Sequence, residues 1–133
     1  MKSIILGIVA AAATLVITQA KAIEMPELAK KNGCTACHAI DKKVVGPAWA
    51  AVSARYKGAK TYRYSPTGSA ATDAKEYPLV EGLMQKVSHG GKGNWSKETG
   101  DMVMIPNDAD EKKQDQIKQL VEFVLSLANQ NGP

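Results

Sequence analysis

The sequence predicts an all-α fold of about four short helices joined by two long loops. Three observations predict it. Proline, acidic residues and glycine punctuate the chain as helix starts and stops. One C-terminal stretch repeats apolar residues at helical spacing. No run alternates over several residues with the β-branched and aromatic enrichment of a strand.

Met25-Pro26-Glu27 opens a first short helix that Asn32-Gly33 closes. Pro47 opens a second, Ala48 to Arg55, which ends near Gly58. A third starts around Pro78, carries Leu79, Leu83 and Val87, and stops at Gly90-Gly91. The fourth is the strongest. Asp108 and Glu111 have capping-box spacing, Ile117, Leu120, Val121, Val124 and Leu127 make one apolar stripe, and Asn131-Gly132 terminates it. Lys57 to Tyr77, rich in Gly, Ser, Thr, Ala and Pro, reads as a long surface loop, and His89 to Asn107 as another.

A chain of 133 residues points to one domain. Its segments differ, however. Lys2 followed by the uncharged run Ile4 to Ile17 and by Ala20-Lys21-Ala22 has the layout of a secretory signal peptide, 1–22, cleaved after Ala22. The run is shorter than the ~20 residues of a bilayer-spanning helix, so no membrane span is expected after cleavage. The domain is then 23–133, in a bacterial-type periplasm. The formal charge of +4 is too modest to imply nucleic acid. Aromatic residues make up 5% of the chain, with one Phe. Four short helices with so few large side chains make a thin core, and small domains of that kind need a staple, a metal or a cofactor.

The two cysteines stand in Cys34-Thr35-Ala36-Cys37-His38, the pattern of c-type haem attachment. Wound as a helical turn, positions i, i+3 and i+4 share one face. Both thiols then reach the vinyl groups of one porphyrin edge, and the imidazole meets the iron. The haem also supplies the large apolar body that the composition lacks. The rival readings of the motif are weaker. A thioredoxin-like redox centre needs a βαβ context. A disulfide between Cys34 and Cys37 closes too small a loop to stabilise much. A zinc site needs more ligands than His89 can add.

The segment Lys31 to Ala48, with its Cys34-Thr35-Ala36-Cys37-His38 and Gly46-Pro47, resembles the small bacterial class I cytochromes c, the cytochrome c-551/c-552 group. The resemblance resumes at Gly93-Asn94-Trp95, at Met104-Ile105-Pro106-Asn107 and at Phe123-Val124-Leu125-Ser126. It implies the class I cytochrome c fold around one covalently attached haem c. It implies His38 as the proximal iron ligand, the Pro47 carbonyl as acceptor for its ring N–H, and Met104 as the distal ligand. Trp95 and Lys86 are implied at the haem propionates. Two departures stand out: the Lys57–Tyr77 segment is longer than in the smallest members, and Ser96 to Asp101 replaces a proline-containing turn.

Met102 lies two residues from Met104 on the same loop and could also approach the iron, while His89 would make a bis-histidine site of lower potential. With both axial positions filled by protein, the expected function is a soluble, monomeric periplasmic one-electron carrier and not an enzyme. A quinol–cytochrome c reductase would be its donor, and an oxidase, a nitrite reductase or a peroxidase its acceptor. Lysines near the motif and the distal loop could steer acidic partners. A haem protein with an openable sixth position, peroxidase-like or gas-binding, is the alternative, followed by a haem-free thiol–disulfide oxidoreductase.

Overall fold

The computed structural model describes residues 22–130, so the predicted leader before Ala22 and the terminator Asn131-Gly132 lie outside the described residues. The order is α1 (Glu27–Lys31), a 3-10 turn (Cys34–Ala36), α2 (Trp49–Tyr56), β1 (Thr61–Tyr64), β2 (Lys75–Pro78), α3 (Leu79–His89), α4 (Ser96–Thr99) and α5 (Gln114–Gln130). Pro26 and Pro78 sit at the N-caps of α1 and α3, where a fixed φ suits the entry and no N–H is lost. Gly90 ends α3 with φ 73°, a conformation that glycine adopts without steric cost.

Helix α5 is the spine of the molecule. Its Leu120, Val124 and Leu127 join Ala29 and Trp49 in one buried cluster, and its Ile117 and Val121 join Tyr62, Tyr64 and Leu83 in another. One helix therefore organises both halves of the core, as an apolar stripe wider than a single seam allows. A buried hydroxyl fastens α2 to it. Ser53 Oγ donates to the Leu125 carbonyl at 2.9 Å and accepts from the Ala128 N–H at 2.8 Å.

Two expectations need correction. The Lys57–Tyr77 stretch is not a loop throughout: β1 and β2 form an antiparallel hairpin in the register Thr61↔Pro78, Tyr62↔Tyr77, Arg63↔Glu76 and Tyr64↔Lys75. Thr61-Tyr62-Arg63-Tyr64 alternates outward and inward, and the inward Tyr62 and Tyr64 are buried. The strand is short, so its two-residue period is easily passed over, but the burial of two tyrosines holds it. Tyr62 lies so close to Gly82 of α3 that a Cβ there would sit 2.7 Å from its own Cβ. The glycine is thus what lets the hairpin settle on the helix. The second loop carries one helical turn, α4.

The entry to α5 also differs from a capping box. Asp108 accepts the N–H of Lys112 at 2.9 Å, the N–H of Lys113 at 2.8 Å and the Gln114 amide at 2.9 Å. Glu111 does not reach back to it; its backbone has φ 54° and its carboxylate meets His89 at 3.1 Å. Burial alone would raise the Asp108 pKa, but the hydrogen bonds from Lys113, Gln114 and Lys112 outweigh it and hold the carboxyl below its usual value.

These caps and ties can be tested by substitution. Ser53→Ala leaves the Leu125 carbonyl and the Ala128 N–H without their partner and lowers unfolding free energy by about 1–3 kcal/mol, read from denaturant melts. A carboxyl with a lowered folded pKa stabilises the fold above its unfolded pKa and loses that contribution as pH falls through the folded value. Asp108→Asn is therefore less stable at neutral pH and loses less on acidification, as thermal melts across the acid range will read.

Candidate functional site

The 3-10 turn at Cys34–Ala36 comes after Gly33, whose φ of 72° reverses the chain out of α1. Cys34, Cys37 and His38 all line one cavity of about 460 Å³, within the size range of cofactor sites. Neither cysteine is in a disulfide. Cys34 is half-buried, and burial is the main cause raising its thiol pKa, with its own backbone N–H and Lys113 pulling the other way.

The Gly46-Pro47 turn orients His38. The imidazole Nδ1 lies 2.8 Å from the Pro47 carbonyl oxygen. A carbonyl can only accept, so Nδ1 carries the proton and donates, and Nε2 keeps its lone pair. Gly46 makes room for the ring, since a Cβ there would stand 2.5 Å from His38 Cε1. The chain between them is folded back by the Val45 and Gly46 N–H groups, both bonded to the Cys37 carbonyl. Burial lowers the His38 pKa, against the opposing effect of the Pro47 hydrogen bond. The result is a neutral imidazole with a free basic nitrogen, the form that binds metals. Trp49 backs it, with ring centroids 6.0 Å apart.

Met104 reaches the same cavity from the far part of the chain. Its N–H donates to the Gly91 carbonyl at 3.0 Å and its carbonyl accepts from the Gly91 N–H at 2.9 Å. Downstream, the Asn107 and Asp108 N–H groups bond to the Val87 and Ser88 carbonyls at the end of α3. Met102 also lines the cavity but is 54% exposed, whereas Met104 is half-buried. His89 is not among the lining residues; it pairs with Glu111 instead.

Lys86 and Trp95 line the cavity as well. Burial pulls the Lys86 pKa down to about 8, and no carboxylate pairs with it among the described residues. Trp95 carries the Arg55 guanidinium 4.5 Å from its ring centroid, a stacking that no local pattern announces because the two residues lie on separate elements. Asn94, beside it on the cavity wall, has a buried Oδ1 with no hydrogen-bond partner. A third network was not legible either. Asn107 donates to the Asn32 carbonyl at 2.9 Å, and Lys113 Nζ donates to the side-chain oxygens of both asparagines. This ties the residue before Gly33-Cys34 to the segment that carries Met104.

The residues present fit a haem c. An apolar hollow has two unpaired thiols, an imidazole with its basic nitrogen free, a thioether, and a half-buried cation with no carboxylate partner among the described residues. Thiols attach a porphyrin, nitrogen and thioether ligate iron, and the cation suits a carboxylate.

The cytochrome c family model matches residues 26–128. Cytochrome c-552 of Nitrosomonas europaea is 36% identical over 131 residues, which covers 96% of this chain and 99% of that protein. Cytochrome c-551 of Azotobacter vinelandii is 36% identical over 100 residues, 75% of this chain and 93% of that protein. The crystal structure of wild-type Nitrosomonas europaea cytochrome c552 matches with a TM-score of 0.51 at 32% identity, covering 75% of this chain and 95% of that one.

Proposed function

The chain belongs to the cytochrome c family, as an electron-transfer protein with one covalently attached haem c and not an enzyme, and from that premise we propose a soluble periplasmic carrier with His38 and Met104 on the iron. In this reading residues 1–22 are a cleaved export signal and 23–133 the functional domain, acting as a monomer. The family match starts at residue 26, while the alignment to the Nitrosomonas protein reaches into the N-terminal segment. Both facts support a leader followed by a domain. Among the described residues no helix is long and apolar enough to cross a membrane.

One observation carries the assignment of residues: the Cys34, Cys37 and His38 of one short turn and the distant Met104 come to one apolar cavity. Cys34 and Cys37 would hold the haem through thioether bonds, His38 and Met104 would ligate the iron, and Lys86 and Trp95 would meet its propionates. The bound haem supplies one-electron chemistry, ferric to ferrous and back. The chain does the rest. The Pro47 carbonyl fixes the His38 tautomer and ring plane and makes Nε2 a better donor. The paired hydrogen bonds between Met104 and Gly91 hold the thioether's backbone in place, so the ligand set changes little between redox states. Leu120, Val121 and Val124 keep that wall dry. Donor and acceptor are proposed as a quinol–cytochrome c reductase on one side and an oxidase, nitrite reductase or peroxidase on the other. No βαβ unit surrounds the cysteines among the described residues, which disfavours thiol–disulfide exchange.

Met104→Ala abolishes the thioether-to-ferric charge-transfer band in the visible spectrum, while Met102→Ala keeps it. The reverse result would move the ligand to Met102. Lys86 tests the propionate assignment. A propionate beside it holds the ammonium charged, so the potential stays flat through neutral pH and Lys86→Met lowers it by on the order of tens of mV. Without that anion the lysine deprotonates at about 8. Loss of its charge disfavours reduction, and potentiometry would show the potential falling as pH rises through that value.

A further inference from the structure

The segment Gly90–Gly93 lies between two neighbours. On one side Gly91 exchanges both of its backbone hydrogen bonds with Met104. On the other, the next residue turns its N–H the opposite way, as extended chain does, and Lys92 donates to the Pro66 carbonyl at 3.2 Å. Pro66 belongs to the turn region between β1 and β2. The approach is close enough to demand glycine. A Cβ on Gly91 would strike the Pro66 backbone, and one on Gly93 would stand 2.6 Å from the Gly68 Cα. Gly90 packs in the same way against the backbone of Met104 and Pro106.

A buried side chain joins the hairpin to this stack. Tyr64 is 6% exposed, and its hydroxyl donates to the Gly90 carbonyl at 3.0 Å. The hairpin end is itself pinned. Ser65 Oγ, 2% exposed, donates to Asp73 at 2.8 Å, and Arg63 Nε donates to the Ser69 carbonyl at 2.8 Å. The contacts run from a braced turn through Gly90–Gly93 to Met104.

We propose that the β1–β2 hairpin is a clamp on the Met104 segment and that Tyr64 is a positioning residue for the distal ligand. The inference rests on Met104 being that ligand. A thioether is a weak donor to ferric iron, so how often it leaves is set by how freely its backbone moves. The hairpin restricts that motion from behind, through Tyr64 to Gly90 and Pro66 to Lys92, without touching the iron.

The test is imidazole binding to the ferric, haem-bearing protein. Imidazole must wait for the thioether to leave, so its limiting binding rate reads the opening of the Met104 segment. Tyr64→Phe keeps the ring and removes one hydrogen bond, which at a typical net strength raises that rate about fivefold. Ser65→Ala, which loosens the turn without contacting Gly90, raises it in the same direction. Denaturant melts followed by far-ultraviolet circular dichroism separate opening from global unfolding. Faster binding that exceeds any change in global stability supports the clamp. An unchanged rate in both variants, or a rate that only tracks global stability, overturns it. The charge-transfer band of the unsubstituted protein keeps the two readings apart. Its absence removes Met104 from the iron and the clamp with it, whereas its presence with unmoved rates defeats the clamp alone.

Discussion

A cavity that the chain cannot fill with its own side chains is the constraint on which the rest depends. Leu120, Val121 and Val124 of α5 face it from one side, and Leu83 and Val87 of α3 from another. These residues pack within the two buried clusters and still border a hollow of about 460 Å³ that no side chain occupies, where apolar surface left apart forgoes both burial and dispersion contacts. The helices therefore leave room for a large apolar body beside the Cys34–His38 turn, and residues of both core clusters line that space.

The proximal side is built by local chain geometry and the distal side by long-range backbone pairing. Gly33, the 3-10 turn, Gly46 and Pro47 lie within a short stretch, and their hydrogen bonds close small rings. Such a stretch orders at small entropic cost. Met104 is held instead by Gly91, and the chain just after it by the Val87 and Ser88 carbonyls at the end of α3, which bond the Asn107 and Asp108 N–H groups. The Asn32–Asn107–Lys113 network then joins the two sides, with both asparagines on the cavity lining. With His38 and Met104 as the proposed ligands, imidazole and thioether would need different support, because nitrogen binds iron of both charges firmly while sulfur favours the ferrous form.

The same division separates the features legible in the sequence from those that are not. Cys34-Thr35-Ala36-Cys37-His38 and Gly46-Pro47 are legible because their chemistry depends on neighbours in the chain. The helix ends at Pro26, Pro78 and Gly90 are legible for the same reason. The hairpin was hidden because β1 is only four residues long and its inward face is just Tyr62 and Tyr64. Glu111 matched a capping-box spacing, but its pairing with His89 at the end of α3 is tertiary and overrode the local rule. Arg55 over Trp95 and Tyr64 on Gly90 bring together residues from separate elements. Nothing in either partner's surroundings points to the other.

The glycines show how the two kinds of information meet. Gly90 and Gly91 read from sequence as a helix stop, which explains why α3 ends there. A helix stop needs one residue with positive φ, and here both have it, at 73° and 108°. The second glycine is explained by space: Gly91 is pressed between the Pro66 backbone and Met104, where no side chain fits. Gly93 repeats the condition against Gly68. A run of glycine after a helix therefore does more here than end it. It lets three backbone segments pack at hydrogen-bonding distance, and the middle one carries to Met104 whatever rigidity the hairpin provides.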